Sequence, residues 1–567
     1  MAKKAKAAKF KTIEHKGPLF PKPYEYKGKF FVNGIKLDYL SEDMLWHWAV
    51  LGDDYRNRTD FQKNFAKTFL KNVPAGMPQT FPEGYEKTIE AMRAENELIK
   101  EAKKLANTKE AREAKKLENE KIKKEYGVII LDGVEQQIGG YVLEPEGVYV
   151  GRGKCPMNGM WKWAIQPEDV TINYIGDKSK IPQPPAGHKW KAVVENREAY
   201  VATYFDVHIG EGYATLKKKY GFGATSTVKQ DADKHKYEKA QQLAKDWPIM
   251  EKYIEDGVNA NKQEAVVSWL ILRTGIRIGT EKLDKFENGT VGASQLLVKN
   301  IKVGNGTLEL DFLGKDTVRY HNTVEIPANV EKALKTFVAN KKPNDRVFDK
   351  ASAGTVNKFL SDCLPYVTGK LFRTTYGTKL LAEELQKAEV KKGMPEWKIR
   401  SIYDNACLVV STKLNHQKNV AKNFATQMDK TDDTIKKAKE TEKARAAKAK
   451  VQLAKLRKQK AACKKKYSGE ELAGLLEVIA ERENKIKAQV EKAELRVEKL
   501  EANKELKKAT KNIALGTAKL NYSSPKVAYS FCKDLGVDIG IIYNAAQQKK
   551  FAWAANTPAS FWKKYPN

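Results

Sequence analysis

Apolar residues recur along this chain in three patterns, and each pattern predicts a different part of the architecture. Between residues 234 and 280 they are spaced three and four apart, as on one face of an α-helix. Residues 295–326 instead contain three runs of alternating apolar residues, and an Asn-Gly pair at 305–306 separates the first two. Such a pair predicts a β-hairpin. We therefore expect helices followed by a small antiparallel sheet in the middle of the chain.

The third pattern is a charged stretch from about 428 to 510, where lysine, alanine, glutamate and glutamine dominate. One break occurs at 466–471, where Ser468 and Glu471 fit a capping box that starts a new helix. We predict an antiparallel helical hairpin that projects from the body. After the break, apolar residues are spaced three, four or seven apart, which is typical of the seam of a coiled coil. These residues are Ile479, Ile486, Val490, Ala493, Val497 and Leu500.

Patterns elsewhere complete the predicted organisation. A charged, helix-favouring stretch at about 86–125 predicts a helical insertion. Helical patterns also cover 353–365, 376–388 and 395–412. The fold class that follows is α+β and multidomain, with a mixed α/β cap, a mostly α-helical core with a small antiparallel sheet, a protruding hairpin and a small helical C-terminal unit. The predicted segments are a basic arm at 1–11, the cap at 12–226, the core at 227–427, the coiled-coil linker at 428–510 and the C-terminal domain at 511–567.

The net charge narrows the class of partner. The 567 residues include 103 lysines and arginines against 71 aspartates and glutamates, a formal net charge of +32. A field of that size attracts polyanions, such as nucleic acid or an anionic membrane. No run of 18 apolar residues is present, so we expect no membrane-spanning helix. Nucleic acid is therefore the expected partner.

The cysteines and histidines argue against a metal site or a disulfide framework. The five cysteines contain no Cys-x-x-Cys pair, and the seven histidines are dispersed. The sequence also has no Walker phosphate loop and no GxGxxG after a strand. Chemistry must then come from basic, polar and tyrosine side chains, and we expect neither a metal nor a cofactor.

Tyr522 is one candidate for such chemistry. It lies between Asn521 and a Ser-Ser-Pro turn, after the long charged stretch. A tyrosine hydroxyl is a weak nucleophile with a pKa of about 10, but it forms covalent intermediates when a site activates it. By itself, Tyr522 is more simply an ordinary core or surface tyrosine, one of 24 in the chain. Whether Tyr522 is a nucleophile or an ordinary tyrosine therefore depends on the other motifs of the chain.

Those other motifs also have ordinary explanations. Arg152 lies between two glycines, which suits a close approach to DNA or a solvated turn. Lys315 occupies a predicted hairpin tip, where a lysine is usually solvated. Arg273 and Arg277 flank Gly275 at a predicted helix end, which would let an arginine meet a phosphate closely.

Taken in order, the motifs resemble those of eukaryotic type IB DNA topoisomerases over nearly the whole chain. The segments that carry the resemblance are 12–20, 61–65, 151–153, 185–191, 311–320, 372–374, 415–417, 515–522 and 551–554. The resemblance implies catalytic roles for Tyr522, Arg277, Lys315, Arg373 and His416, although His416, which follows an apolar helix, is by default a capping or core histidine. It also suggests DNA contacts by Arg152, Lys162, Asp316, Asn415, Lys519 and Asn521. Arg273 is the alternative to Arg277, but its spacing to 290–292 is one helical turn too long for the family.

The resemblance implies an isomerase that relaxes supercoiled duplex DNA without ATP, cofactor or metal. Tyr522 would form a 3′-phosphotyrosyl intermediate, and the free strand end would rotate before it is rejoined. The implied partner is double-stranded DNA, which the cap and core of a monomer would hold as a clamp. The expected location is the nucleus, with a viral particle or viral factory as the alternative.

Two other functions stay open. A tyrosine recombinase or telomere resolvase uses the same set of arginine, lysine, histidine and tyrosine, although recombinases usually lack a large cap and a long hairpin. The motif at 274–279 is closer to viral and bacterial type IB enzymes and to recombinases than to the usual eukaryotic form. A non-catalytic architectural DNA-binding protein would also be basic, and would not depend on Tyr522.

Overall fold

Helices and small β-sheets alternate through the part of the chain that the computed structural model describes, residues 10–151, 153, 155–197, 200–205, 217–221, 226–279, 289–314 and 317–566. Most of these residues are helical, and the strands form five small sheets. None of the described helices is long and apolar enough to cross a bilayer. The predicted combination of a mostly helical chain with small antiparallel sheets is confirmed.

The described N-terminal part contains two large hydrophobic cores and a small third cluster around Met157. In the first, an antiparallel sheet and a second, mixed sheet bury Ile13, Ile129 and Ile172 completely or almost completely. In the second, helices bury a stack of phenylalanines and tryptophans around Phe65. The strands are β1 Ile13–His15, β2 Phe31–Val32, β3 Ile35–Lys36, β4 Val128–Leu131, β5 Val134–Gln137, β6 Gly147–Val148, β7 Trp161–Lys162, β8 Thr171–Asn173, β9 Ala192–Val194, β10 Tyr200–Phe205 and β11 Lys217–Gly221.

The predicted helical insertion consists of two helices in the structure. The first buries only its first two turns, through Thr88, Ile89 and Met92, and the second buries none of its residues. A helix that is polar on every face relies on pairs of side chains one turn apart rather than on an apolar face. The helices of this part are α1 Tyr39–Ala49, α2 Asp53–Arg56, α3 Thr59–Phe69, α4 Glu86–Leu105 and α5 Lys109–Tyr126.

The middle of the chain packs helices against a three-stranded antiparallel sheet. The sheet has the order β12 Ile301–Gly304, β13 Thr307–Leu313 and β14 Arg319–Glu325. Asn305 and Gly306 both have positive φ, as the predicted hairpin turn requires. The surrounding helices are α6 Thr227–Lys245, α7 Trp247–Asn259, α8 Gln263–Thr274, α9 Ala328–Val338 and α10 Ala353–Cys363.

Two predicted elements in this region differ from the structure. The first strand begins at Ile301 rather than at 295, because the side chain of Asn300 accepts a hydrogen bond from Leu297 N (3.0 Å) and holds a turn there. Helix α11, Gly369–Lys387, begins seven residues before the predicted start. Its N-cap is Thr368, whose side chain accepts a hydrogen bond from Leu371 N. Arg373 therefore lies within a helix, and not between two helices as predicted.

The last part of the chain forms its own core with helices α11 and α12 Glu396–Lys413. Buried residues of this core include Leu381, Tyr403 and Phe531. A short helix leads into a turn of π-helix over Ala518–Tyr522. The C-terminal helices are α15 Leu515–Thr517, α16 Pro525–Leu535, α17 Ala545–Lys550 and α18 Phe561–Lys564.

Two long helices, α13 Phe424–Lys466 and α14 Gly469–Ala509, pack along each other as a helical hairpin. Most residues of the predicted seam are buried or half-buried, with Ile479, Ala493 and Val497 the most buried. The predicted capping box is wrong. Ser468 is the N-cap of α14, but its side chain accepts no hydrogen bond from the helix, because Gly469 directly after it has a φ of 64°.

The seam generates a test of the hairpin. We expect Val497→Asp to destabilise it by at least about 2 kcal/mol, because a carboxylate then enters an apolar contact. Tryptic cleavage within residues 424–509 should accelerate about 30-fold or more, since cleavage follows the population of opened hairpin. Val478→Asp is the matched control, because Val478 is 47% exposed. Equal cleavage of the two variants would contradict the seam.

Candidate active site

Tyr522 ends the π-turn at 518–522, and its side chain is only 5% exposed. Thr378 on α11 anchors the backbone on both sides of it. The hydroxyl of Thr378 accepts a hydrogen bond from Ser524 N (3.1 Å) and lies 3.3 Å from the carbonyl oxygen of Tyr522. π-turns are rare and are found mainly at functional sites. This turn fixes where the phenol points.

Gly377 allows α11 to approach the π-turn closely. A Cβ atom at this position would lie 2.7 Å from the carbonyl oxygen of Tyr522 and 3.3 Å from its Cβ. The first distance is shorter than any that real Cβ atoms adopt, so any larger residue would push the two backbones apart. The position of Tyr522 relative to α11 therefore depends on a glycine that no local sequence pattern marks as functional.

Arg373, one helical turn before Gly377, contacts the phenol directly. Its Nη1 donates a hydrogen bond to Tyr522 Oη (3.1 Å), and its guanidinium carbon lies 4.7 Å from the centre of the ring. Its Nη2 donates to the carbonyl oxygen of Leu414 (2.6 Å). Burial lowers the pKa of Arg373 to about 10, Tyr522 opposes the shift, and nearby Arg277 adds to it. The side chain is therefore a cation at neutral pH.

His416 packs its ring against the other side of this contact. The ring centres of His416 and Tyr522 are 4.9 Å apart, and His416 Nε2 lies 3.5 Å from Arg373 Nη2. Burial lowers the pKa of His416 to about 3, with further lowering by Arg373 and Arg277. The imidazole is therefore neutral at pH 7 and has one N–H to donate. Within the described residues, His416 Nδ1 and Arg373 Nε have no hydrogen-bond partner.

Arg277 and Arg273, the two candidates for the first arginine, lie in different surroundings. Arg277 lines the same cleft as Arg373 and His416, and its carbonyl oxygen accepts a hydrogen bond from Ala293 N (2.8 Å). Arg273 has a side chain that is 57% exposed, and it lies 3.8 Å from Glu251. The geometry thus favours Arg277, as the spacing of the sequence did.

Gly275 brings the Arg277 segment to the end of α12. It ends helix α8 with a φ of 66°, and a Cβ there would lie 2.5 Å from the carbonyl oxygen of Lys413. At the end of α12, Asn415 has a φ of 52° and lines the cleft beside His416. Two chain reversals therefore place residues 277 and 416 on the same cleft.

Three predicted site residues, Lys315, Asp316 and Arg152, lie outside the described residues. Their neighbours are informative. Gly314 and Val318 line the cleft, so the loop between β13 and β14 reaches its edge. A Cβ on Gly153 would lie 2.5 Å from Thr317 Cγ2, so the segment next to Arg152 meets this loop. The N-terminal part and the middle of the chain therefore touch beside the candidate site.

The other predicted DNA contacts are more dispersed. Lys162 forms an ion pair with Glu144 (3.1 Å), and Lys519 forms one with Asp404. Their side chains are only 16% and 12% exposed, so each charge is already balanced by a carboxylate. Asn521 is exposed next to the phenol. As placed, the two lysines support local structure more directly than a contact with DNA.

Sequence reasoning missed Lys236 on α6. Its Nζ lies 3.4 Å from the carbonyl oxygen of Asn521 and 3.0 Å from Asp233. Burial lowers the pKa of Lys236, while Asp233 opposes the shift. Lys236 thus adds a partly desolvated cation next to the π-turn. The sequence gives no signal for it, because it lies in an ordinary charged stretch more than two hundred residues from Asn521.

Arg277, Arg373 and His416 line the cleft, and the buried phenol of Tyr522 contacts Arg373 and His416. Such donors suit an anion with several oxygens, because arginine forks bind phosphate in a bidentate manner. The described residues contain no group of three or more histidines, cysteines and carboxylates that could hold a metal ion. The arrangement can bind a phosphate group and bring a nucleophile to it.

Three family models match successive parts of the chain. They describe the eukaryotic DNA topoisomerase I DNA binding fragment at residues 8–215, the catalytic core of the same enzyme at 225–450, and a C-terminal topoisomerase domain at 494–563. Arg277, Arg373 and His416 lie in the second matched region, and Tyr522 lies in the third.

Curated relatives agree with these matches. DNA topoisomerase 1 of Homo sapiens is 34% identical, covering 96% of this chain and 71% of the relative. The protein of the same name from Rattus norvegicus is also 34% identical, over 96% and 70%. That of Caenorhabditis elegans is 32% identical over 78% of this chain, which spans only 57% of the nematode protein.

The environment of His416 generates a test that needs no ligand. We expect its imidazole resonance not to titrate between about pH 8 and pH 5, because burial and two arginines keep its pKa near 3. The resonance is assigned by its loss in His416→Gln. Arg277→Gln removes one of the cations, so it should raise the pKa without bringing it to the ordinary value.

The same shift has a consequence for stability. The unfolded chain binds a proton at this histidine near pH 6.5, whereas the folded chain does so only near pH 3. Stability from neutral His416 is therefore complete above about pH 6.5 and falls as the pH drops toward 3. His416→Gln should unfold in urea with a weaker pH dependence in that interval. A midpoint of titration between about 6 and 7 would contradict the described burial.

Proposed function

Because the chain belongs to the eukaryotic DNA topoisomerase I family, we propose that it relaxes supercoiled duplex DNA through a covalent intermediate on Tyr522. The observation that carries the proposal is the hydrogen bond between Arg373 and the Tyr522 hydroxyl, in a cleft that Arg277 and His416 also line. The net charge of +32 supports DNA as the partner.

In this proposal the phenol oxygen attacks a backbone phosphorus, and the 5′-oxygen leaves. Negative charge accumulates on the non-bridging oxygens of the five-coordinate phosphorus. Donors that are already in place where this charge develops make the largest contribution to catalysis. Arg277 and Arg373 supply the forks, and the neutral imidazole of His416 donates one further hydrogen bond.

Arg373 has a second role in the same step. Its guanidinium already contacts the phenol oxygen at 3.1 Å, so a positive charge is in place as that oxygen loses its proton. The hydrogen bond from Arg373 to Leu414 holds the guanidinium at this position. One buried cation would thus orient the nucleophile and, after a small shift, face the phosphate.

Lys315 is the proposed general acid that protonates the leaving 5′-oxygen. The support is the sequence motif at 311–320 and the fact that Gly314 and Val318 line the cleft. The 3′-phosphotyrosyl bond conserves the energy of the broken phosphodiester, so religation needs no ATP. The arginines stabilise the charge that a metal ion would otherwise stabilise.

The proposed arrangement on DNA is a monomeric clamp. Contacts between cap and core at Gly153 and Thr317, and an ion pair between Asp54 and Lys422 (2.5 Å), support closure around a duplex. The lysines of the hairpin α13–α14 would contact the rotating DNA, so removing residues 430–508 should lower processivity at a given salt concentration, because fewer phosphate contacts remain.

Comparisons bear on location and on the alternatives. The nucleus is the proposed location, although one relative, from Pan troglodytes, is named DNA topoisomerase I, mitochondrial. The recombinase alternative gains no support, because all three matching family models describe topoisomerase domains.

The nucleophile is tested by relaxing a supercoiled plasmid in EDTA without ATP. We expect Tyr522→Phe to abolish relaxation and the covalent adduct with a 5′-labelled strand, because no oxygen remains to attack. Tyr529→Phe is the matched control, a half-buried tyrosine on the following helix that contacts the same core. Full activity of Tyr522→Phe would overturn the assignment.

The general acid is tested with a changed leaving group. We expect Lys315→Ala to slow strand cleavage about 100-fold or more. A duplex with sulfur at the scissile 5′-bridging position should restore cleavage, because a thiol has a pKa of about 8.5 and leaves without a proton donor. Arg373→Ala should not be rescued in this way, since it removes stabilisation of the non-bridging oxygens. Rescue of both variants, or of neither, would contradict the role of Lys315.

A further inference from the structure

An acidic and aromatic pocket lies in the N-terminal part, built from the start of the chain, helix α1 and strand β7. The side chains of Tyr39, Trp161 and Trp163 form its walls, and the carboxylates of Asp43 and Glu146 also line it. The rings of Trp161 and Trp163 stand at 89° with centres 6.3 Å apart, so they form a corner. Such a pocket contrasts with a chain whose net charge is +32.

The two acidic side chains at the start of α1 differ in their hydrogen bonds. Glu42 is fully buried, and its oxygens accept bonds from Lys27 N (2.6 Å), Gly28 N (3.0 Å) and the Tyr24 hydroxyl (3.0 Å). Asp43 is 3% exposed, but its Oδ1 accepts no aligned hydrogen bond from the described residues. Asp43 is therefore a buried carboxylate with spare acceptor capacity.

The only cation paired with Asp43 among the described residues is a histidine. His47 Nδ1 lies 2.9 Å from Asp43 Oδ1, but it is also 3.0 Å from the backbone carbonyl of Asp43, which takes the aligned hydrogen bond. Burial raises the pKa of Asp43, contact with His47 opposes the shift, and repulsion from Glu146 and Glu42 adds to it. A positive group in the pocket would relieve this repulsion.

The wall of the pocket has a second unused polar group. Trp161 is 1% exposed and packs edge-on against His47, with ring centres 5.6 Å apart. Its Nε1 has no hydrogen-bond partner in the described part of the chain. Trp161 and Asp43 both line the pocket, and Asp43 Oδ1 contacts His47 without an aligned hydrogen bond. A ligand with both an acceptor and a cationic donor could therefore use the two groups.

From these groups we propose that the pocket binds the side chain of a lysine presented by a peptide. The ammonium would donate to Asp43 Oδ1 and face Glu146, while the methylene stem packs against Tyr39 and Trp163, since aromatic faces attract cations. The Trp161 N–H would donate to a backbone carbonyl of the peptide. This peptide contact goes beyond the proposed DNA chemistry and does not depend on it.

Other ligand classes fit less well. Two carboxylates between aromatic walls lack the six or more oxygens that Ca²⁺ prefers, and the described residues hold no cluster of potential metal ligands. A phosphate of DNA would meet two carboxylates. Arginine prefers two parallel acceptors, whereas one oxygen of Asp43 already contacts His47.

The test uses the full chain and two short peptides, acetyl-Ala-Lys-Ala-amide and the same peptide with norleucine in place of lysine. Ligand-observed NMR should detect the lysine peptide, and binding should weaken at least about fivefold in Glu146→Gln. Glu144→Gln is the matched control, because Glu144 is two residues away and pairs with Lys162. It should leave the affinity unchanged.

A second variant separates a binding defect from misfolding. Tyr39 is 45% exposed, so Tyr39→Leu should fold with an unchanged melting temperature while it weakens the lysine peptide. Glu146→Gln and Tyr39→Leu should both relax plasmid at the wild-type rate. The proposal is overturned if the norleucine peptide binds as tightly as the lysine peptide, or if Glu146→Gln and Glu144→Gln bind alike.

Discussion

The contact between the Arg373 guanidinium and the Tyr522 phenol is the constraint on which the rest of the site depends. A buried cation is costly unless its hydrogen bonds are satisfied, and here Tyr522 and Leu414 satisfy two of them. Leu414 ends α12, Tyr522 ends the π-turn, and Arg373 lies on α11. One guanidinium therefore joins three elements that are far apart in the sequence. A phenol held in this way keeps its orientation without a bound ligand.

The elements of the fold with strong local patterns could be predicted from the sequence. The seam of the hairpin and the Asn-Gly turn at 305–306 are set by neighbours a few residues apart. The start of α11 was missed, because Gly369 resembles a breaker, yet it packs against Ile278, where a Cβ would lie 3.2 Å from Ile278 Cδ1. Periodicity carries no information about such tertiary contacts.

In the candidate site, too, local sequence patterns were predictable and tertiary contacts were not. Motif spacing favoured Arg277 over Arg273, and of the two only Arg277 is among the described residues that line the cleft. The sequence could not predict the ion pair of Lys519, since its partner Asp404 is 115 residues away and only folding brings the two charges together. Gly377 and Thr378 were invisible for the same reason. Their roles come from backbone approach and from hydrogen bonds to a turn 144 residues further on.

The ion pair between Asp54 and Lys422 joins the cap to the segment that precedes the hairpin, and both side chains are mostly exposed, at 74% and 90%. Exposed pairs contribute only about 0–1 kcal/mol and are screened by dissolved ions. If the proposed clamp closes through this contact, it would open often. In the proposed function, the protein could then bind and release a closed circular DNA by opening this contact. The ionic strength would set how long one protein molecule stays on one DNA molecule before it binds the next.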